Sequence, residues 1–169
     1  RNGFVGGLDF DADYDYSYDG ITRSVEMSYA RLGLNRIDIL YVHDLGDYTQ
    51  GIELGAKQFK TFCNGGLKAL QELKASGVIG GWGLGVNEVK VCLDVMSEGD
   101  MDCILLAGRY TLLDRGAEAK LIARCIERKT SLVIGGVFNS GILATGVGAD
   151  AYFDYEPASA DIIRRVNGL

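Results

Sequence analysis

The sequence is short of histidine, basic residues and long apolar runs, and each shortage excludes a class of protein. It has one histidine, His43, and four cysteines without a C-x-x-C pair, which argues against a zinc site. Lys and Arg number 17 against 23 Asp and Glu, so the net charge of −6 opposes nucleic-acid binding. No apolar run approaches the roughly 20 residues of a membrane-spanning helix. We therefore expect neither nucleic acid nor a membrane as a partner.

The chain does have the composition of a folded protein. With 169 residues, of which 47% are apolar, it fits one domain over residues 1–169 with a substantial core. Cys103 and Cys125 lie in apolar segments, which favours reduced, structural thiols. The chain opens without the pattern of a signal peptide. We therefore expect a cytoplasmic setting.

Glycine is abundant, at 24 of the 169 residues, which is roughly twice the usual share of about 7%. The glycines fall at the ends of periodic segments and in clusters such as Gly80-Gly81 and Gly135-Gly136. Such positions are typical of turns and of places where the backbone approaches a neighbour closely.

Helical and strand-like patterns alternate along the chain. The first predicted helix covers residues 18–32, with Asp19 as its N-cap and Gly33 as its end. The further predicted helices are 65–75, 87–96, 118–128 and 158–166. The predicted strands are 37–42, 78–86, 103–107 and 132–138. Residues 44–64 are predicted to form a long irregular loop, and 140–148 a glycine-rich turn region.

This alternation predicts right-handed βαβ units and a parallel sheet. An open doubly wound sheet and a stretch of a (β/α)₈ barrel both satisfy it. The glycines of Gly81-Trp82-Gly83-Leu84-Gly85 lack the G-x-G-x-x-G spacing, which disfavours the doubly wound sheet. We therefore predict an α/β fold, a partial TIM barrel with about four of eight strand-helix units. Four units cannot close such a barrel, so other strands or a second chain would have to complete it.

Candidate functional residues follow the predicted strands, where parallel-sheet enzymes place theirs. His43 could act in acid–base chemistry or be structural, and Asp44 could orient its ring or be a loop charge. Asn87 could bind a carboxamide or hydroxyl, or cap the following helix. Tyr110 and Phe138 close the next two predicted strands, where they could stack on a flat ligand or simply pack.

Two further segments are candidate binding loops. Ser140-Gly141-Ile142-Leu143 is rich in small residues, so its N–H groups could face a phosphate, or it could be a plain turn. The acidic, tyrosine-rich residues 9–19 lack the central Gly and closing Glu of an EF-hand. They are predicted to form a solvated loop, and no metal site is predicted.

Longer motifs resemble the aldo-keto reductase family. Within residues 24–44, R-L-G-L-N-R-I-D-I-L-Y-V-H-D resembles the family segment in which a helix leads into the strand that presents the catalytic histidine. The resemblance continues in order through residues 66–74, 77–83, 109–114 and 139–143. The H-D, Y-T-L-L-D and N-S-G-I-L-A-T-G stretches look most like the branch that contains aldose 1-dehydrogenases and pyridoxal 4-dehydrogenase.

The resemblance implies a (β/α)₈ barrel that passes a hydride between NAD or NADP and a carbonyl or lactol carbon of a small-molecule substrate. Of the family's Asp, Tyr, Lys and His tetrad, only the histidine has a counterpart, His43, which would orient the substrate oxygen. The chain is therefore expected to be an internal or truncated portion, completed by a missing segment or by a homo-oligomer.

The resemblance also implies a cofactor site. Asn87 falls near the Asn that binds the nicotinamide carboxamide, and Ser140, Gly141 and Leu143 fall in the loop along the pyrophosphate. Ala107 stands where many members have Gln. Gly135 stands near the position of the aromatic residue under the nicotinamide ring, which leaves Phe138 as the candidate for that role.

These observations give one leading hypothesis and two alternatives. The leading hypothesis is an NAD(P)-dependent oxidoreductase that oxidises an aldose at C1, or reduces an aldehyde or ketone. The first alternative is an inactive barrel remnant that acts as a binding or regulatory module. The second, an unrelated barrel lyase with His43 as its base, requires a phosphate or metal site that the sequence does not offer.

Overall fold

A four-stranded parallel sheet forms the centre of the computed structural model, which describes residues 12–148 and 150–169. Its strands are β1 (Ile37–His43), β2 (Ile79–Val86), β3 (Cys103–Ala107) and β4 (Ser131–Gly135). The spatial order β1-β2-β3-β4 follows the chain, and every pair is parallel. A doubly wound sheet would reverse its order at a switch point, whereas a barrel wall does not. The predicted partial α/β barrel is confirmed.

Helices connect the strands. In chain order they are α1 (Tyr18–Leu32), α2 (Asp47–Gln50), α3 (Ile52–Thr61), α4 (Leu67–Ala75), α5 (Val89–Glu98), α6 (Leu121–Arg128), α7 (Ile142–Thr145) and α8 (Ala160–Val166). A π-helical turn, Phe62–Gly66, joins α3 to α4, and a short hairpin pairs β5 (Tyr152–Phe153) with β6 (Glu156–Pro157). In the part of the chain that the structure describes, no helix is both long and apolar enough to cross a membrane.

The start of α1 differs from the prediction by two residues. Ser17, rather than Asp19, is the N-cap, because its backbone is extended and its side chain accepts a hydrogen bond from the Gly20 N–H at 3.1 Å. Asp19 lies in the first turn, where its charge is favourable toward the helix dipole. Gly33 ends the helix as predicted, in the left-handed conformation that glycine adopts without strain.

The prediction of a loop over residues 44–64 is wrong, since this segment forms α2, α3 and part of the π-helical turn. Glycines hide the helical pattern there. A Cβ at Gly55 would lie 3.0 Å from the carbonyl oxygen of Gly46, so only glycine allows α3 to pack this closely against α2.

Other segment ends also differ from the predictions. The strand predicted over 132–138 stops at Gly135, because Gly136 turns the chain with φ +60°, and Phe138 therefore lies in a turn. Tyr110 lies beyond the end of β3, not on it. Helix α5 begins at Val89 with Glu88 as its N-cap, so Asn87 does not cap it. The turn region 140–148 contains α7, and the β5-β6 hairpin was not predicted.

The two faces of the sheet differ in their packing. On one face Trp82 and Leu84 of β2 and Ile104 of β3 are fully buried in a core shared with the helices, and Trp82 contacts Phe62 with ring centroids 6.2 Å apart. On the other face Ile39 is 48% exposed and Val133 46% exposed. The first face packs against the helices, as the outer face of a barrel wall does, and the second corresponds to the barrel interior.

All four cysteines are free, and three of them are buried. Burial raises the pKa of the Cys92 thiol to about 12, which keeps it protonated. This agrees with the structural role that the sequence predicts.

Candidate functional site

The loops that follow the four strands meet at one edge of the sheet, because parallel strands end on the same side. The Asp44 N–H donates to the Gly85 carbonyl at 3.0 Å, which joins the ends of β1 and β2. Arg109 Nε donates to the Asn87 carbonyl at 2.5 Å, and Asn139 Nδ2 donates to the Gly108 carbonyl at 3.4 Å. We call this continuous edge, residues 43–47, 87–88, 108–110 and 136–141, the rim.

His43 is the last residue of β1 and opens the rim. Its side chain is 73% exposed, and Nδ1 lies 3.0 Å from Oδ2 of Asp44. The neighbouring position on β2 is Gly85, where an added Cβ would lie 3.4 Å from Cδ2 of the imidazole. Since no side chain projects from that position, the β2 side of the imidazole is left open.

Two tyrosines and a glutamine support His43 and Asp44 from behind. The Tyr14 hydroxyl donates to Oδ2 of Asp44 at 3.2 Å, and the Tyr16 hydroxyl donates to the His43 carbonyl at 2.8 Å. Gln50 Nε2 donates to the Asp44 carbonyl at 3.3 Å. Burial raises the pKa of Tyr16, and the Asp44 charge adds to the increase, so Tyr16 remains a phenol that can donate.

These tyrosine contacts differ from the prediction for this segment. Tyr16 is 4% exposed, which contradicts the solvated loop predicted for residues 9–19. Asp9 and Asp11 lie outside the described residues. Tyrosine at every second position is the pattern of an extended segment with one buried face, and this period could have identified the contact.

Asn87 follows β2, and its backbone carbonyl is held by Arg109. Within the described residues its side-chain amide makes no hydrogen bond, so the amide is available to a ligand. The adjacent Glu88 has a structural task, because its carboxylate accepts the N–H groups of Asp47 at 2.9 Å and Tyr48 at 3.2 Å. Burial raises the pKa of Glu88, although these two N–H donors act in the opposite direction.

The loop after β4 has an unusual backbone. Asn139, Ser140 and Gly141 have φ values of +46°, +58° and +96° in succession. Asn139 is 3% exposed, and its Oδ1 has no hydrogen-bond partner among the described residues. A Cβ on Gly141 would meet no atom within 4 Å, so there is open space beside this residue. The Gly141 N–H itself donates to the Phe138 carbonyl at 3.1 Å, and the Leu143 N–H donates to the same carbonyl at 3.1 Å. This loop therefore offers a ligand room beside Gly141 rather than free N–H groups there.

Three other predicted residues have different surroundings. Phe138 is 58% exposed, so one ring face is available at the rim. Ser140 Oγ accepts the Tyr155 N–H at 3.1 Å, which fixes the serine against the β5-β6 hairpin. Leu143 packs against a small apolar cluster that includes Leu113. The structure thus leaves Phe138 and the space beside Gly141 open, whereas Ser140 is engaged with the hairpin and Leu143 with apolar packing.

Arg109 is the centre of the rim, a role that the sequence pattern does not predict. Its side chain is 13% exposed, donates a hydrogen bond from Nη1 to Oδ1 of Asp154 at 3.0 Å, and places Nη2 2.8 Å from Oδ2 of the same carboxylate. It also lies 3.5 Å from Asp114 and 5.2 Å from the ring centroid of Tyr48. Burial alone would lower the pKa of Arg109, but Asp154 and Asp114 together raise it. A charged Arg109 therefore ties three loops and the hairpin together.

Replacing Arg109 with Gln should lower the free energy of unfolding by about 2–3 kcal/mol, because Asp154 would lose a buried, charge-assisted partner. Urea denaturation of the full-length protein, followed by circular dichroism, measures this. Arg115→Gln is the matched control, since its pair with Glu118 is exposed and should leave stability unchanged within error. Equal losses in the two variants would contradict a central role for Arg109.

The chain is similar to known proteins over most of its length. A profile of the Aldo/keto reductase family matches residues 7–162. Pyridoxal 4-dehydrogenase of Microbacterium luteolum is 48% identical over 168 residues, which are 99% of this chain and 49% of that protein. D-threo-aldose 1-dehydrogenase of a Pseudomonas species is 35% identical over 148 residues, 82% of this chain and 42% of that protein. The chain spans about half the length of the curated relatives it matches.

Solved structures share the fold, two of them at a TM-score of 0.64. An aldo/keto reductase of Klebsiella pneumoniae, solved with NADP and acetate, has a TM-score of 0.57 at 19% sequence identity. The likeness covers 90% of this chain and 47% of that one, and at this identity it supports the fold alone.

Proposed function

The chain belongs to the aldo/keto reductase family, and from that premise we propose that it carries the histidine-bearing part of an oxidoreductase. The enzyme passes a hydride between NAD or NADP and an aldehyde-level carbon of a small substrate. One observation carries the proposal: β1 delivers the exposed imidazole of His43 to the same rim that presents the Asn87 amide and the open space beside Gly141.

The names of the relatives support a substrate class. One acts on pyridoxal at position 4 and the other on an aldose at C1. Both substrates are aldehydes with a hydroxyl group placed to close a cyclic hemiacetal. The proposed reaction oxidises such a hemiacetal to a lactone: the C–H bond breaks to give a hydride, the hydroxyl loses a proton, and the C–O bond becomes a carbonyl. The reverse direction reduces an aldehyde or ketone.

The residues of this chain have distinct parts in the proposal. His43 hydrogen-bonds the reacting oxygen through Nε2 and fixes its position relative to the carbon that is oxidised. The nicotinamide, when bound, supplies the hydride acceptor. The proton acceptor is a tyrosine that the resemblance assigns to the part of the family barrel outside the matched motifs.

Three features of the rim support a nicotinamide dinucleotide as cofactor. The Asn87 amide is unengaged in the described residues and can pair with a carboxamide. Phe138 exposes 58% of its surface and can stack on the ring. The open space beside Gly141, with Ser140 next to it and Leu143 in the adjoining apolar packing, can admit a pyrophosphate.

The full-length protein tests the proposal. It should reduce NAD or NADP, followed at 340 nm, with pyridoxal or an aldose such as L-fucose, and mass spectrometry should find the lactone. The methyl glycoside of the same sugar, whose blocked anomeric oxygen cannot lose a proton to give a lactone, is the control and should give no signal. If calorimetry detects binding of the sugar or the dinucleotide but no turnover occurs, the binding-module hypothesis replaces this one. Neither binding nor turnover would reject both.

A further inference from the structure

We propose that Tyr48 binds the ring of the substrate, with one face of its phenol held by Arg109 and the other open to the rim. The inference rests on the proposed function and deepens it, because it names a ring-shaped substrate and the side chain that selects it. The alternative is that Tyr48 only covers Arg109.

Tyr48 has one occupied face and one open face. The guanidinium carbon of Arg109 lies over the phenol ring, 5.2 Å from its centroid. Tyr48 is nevertheless 45% exposed, so its exposed surface lies on the other face and the edge of the ring. An aromatic ring that is backed by a cation and open on its other side is a platform on which a flat ligand can stack.

Tyr48 is fixed from both ends. Its backbone N–H donates to Oε2 of Glu88 at 3.2 Å, and Oε1 of the same carboxylate accepts the Asp47 N–H at 2.9 Å. At the other end Asp154 pairs with Arg109 and keeps the guanidinium against the ring. Burial raises the pKa of Tyr48, so its hydroxyl stays a neutral phenol. A ring that is held in this way loses little freedom when a ligand stacks on it.

The contacts of Arg109 place this ring at the end of β2, beside His43. Gly85 is the register partner of His43 on β2. Arg109 Nε donates to the carbonyl of Asn87, two residues further along the chain. Tyr48 therefore stands over the strand end between His43 and Asn87, which are the residues proposed to hold the reacting oxygen and the nicotinamide amide.

The interior face of the sheet has small residues at this end. The positions that face the interior there are Gly85 on β2, Ala107 on β3 and Gly135 on β4. None has a side chain larger than a methyl group, and a Cβ on Gly135 would meet no atom closer than 3.6 Å. This floor of small residues leaves space for a ring next to His43, within the region that Tyr48 borders.

The expected ligand is defined by one ring face. The pyridine ring of pyridoxal presents a π face, and the pyranose ring of an aldose presents C–H groups that also pack on an aromatic ring. A short acyclic aldehyde has neither surface. Stacking on Tyr48 should therefore favour cyclic substrates over acyclic ones, whichever of the two rings is bound.

Tyr48→Leu and Tyr48→Phe in the full-length protein test this stacking. Leu keeps an apolar cover over Arg109 but has no ring face, whereas Phe keeps the face and loses only the hydroxyl. Tyr48→Leu should raise KM for pyridoxal or L-fucose roughly three- to tenfold, and leave KM for the reduction of propanal unchanged. Tyr48→Phe should keep every KM within about twofold of the unmodified value. An increase for pyridoxal alone assigns the site to an aromatic aldehyde, and one for L-fucose alone assigns it to a sugar.

Tyr29→Leu is the matched control. The Tyr29 hydroxyl donates to the Val78 carbonyl at 2.6 Å, just before β2 and at the edge of the sheet opposite the rim. Loss of this bond should lower the thermal stability and leave every KM unchanged. Equal KM increases for cyclic and acyclic substrates in Tyr48→Leu, or weaker dinucleotide binding in calorimetry, would overturn the proposal.

A direct binding measurement separates this inference from the proposed function. If the full-length protein turns over no substrate, the proposed function fails, and calorimetric titration with pyridoxal and with L-fucose decides the inference. Weaker binding of either ring to Tyr48→Leu than to the unmodified protein would support the stacking site. Equal affinity in the two proteins, or no binding to the unmodified protein, would overturn it.

Discussion

Replacing His43 with Gln in the full-length protein should lower kcat by roughly 100- to 1,000-fold, the usual cost of removing one hydrogen bond to a reacting oxygen. Gln occupies a similar volume, but its flexible amide does not place a donor where the rigid imidazole ring places Nε2. Because 73% of the His43 side chain is exposed, the substitution should leave the free energy of unfolding nearly unchanged. Steady-state kinetics, with pyridoxal or the aldose as substrate, measure kcat, and urea denaturation measures the free energy of unfolding.

A matched control separates chemistry from general disturbance. Ile52, on α3, is 81% exposed and lies outside the rim, so Ile52→Ser should leave both kcat and stability unchanged. A loss of less than about threefold in His43→Gln would be far below the expected range. That result would reject an oxygen-orienting role for His43 and return the imidazole to the structural role that the sequence also allowed.

The sequence could predict the strands and the place of His43 because both depend on local pattern. A nearly continuous apolar run such as residues 37–42 is typical of a buried parallel strand, and the residue after it must reach the carboxyl edge. The family motifs extend this to the whole chain, and the family matched by residues 7–162 confirms the resemblance. The roles of Asn87, Phe138, Ser140, Gly141 and Leu143 stay predictions.

The rest could not be predicted because it depends on contacts between distant segments. Arg109 meets Asp154 across 45 residues, and Tyr14 meets Asp44 across 30. Neither pair produces a periodic pattern in the sequence. The glycines of residues 44–64 are typical of a loop, and only the structure shows that they allow α3 to pack on α2. The sequence therefore places the first residue of the site but not the network that orients it.

In strand β2, glycines alternate with large residues, so its interpretation needs both the local sequence pattern and the contacts with a neighbouring strand. Trp82, Leu84 and Val86 point into the helix-packed core, and glycine occupies the intervening positions on the other face. The pattern predicts a strand with one bare face, but only the structure shows which glycine is required. A Cβ at Gly83 would lie 1.8 Å from the Cys103 carbonyl oxygen, whereas one at Gly85 would meet nothing closer than 3.4 Å.

Gly83→Ala should therefore lower the free energy of unfolding by about 3 kcal/mol or more, since β3 must move away to admit the methyl group. Gly85→Ala is the matched control, on the same strand and face, and should cost less than about 1 kcal/mol, because Ala also restricts the unfolded chain. Urea denaturation of both variants in the full-length protein gives the comparison. Similar losses of unfolding free energy in the two variants would mean that β2 and β3 are not in close contact at Gly83. A larger loss of stability in Gly83→Ala alone would show that this glycine is required for the parallel strand pairing that places His43 and Asn87 at one rim.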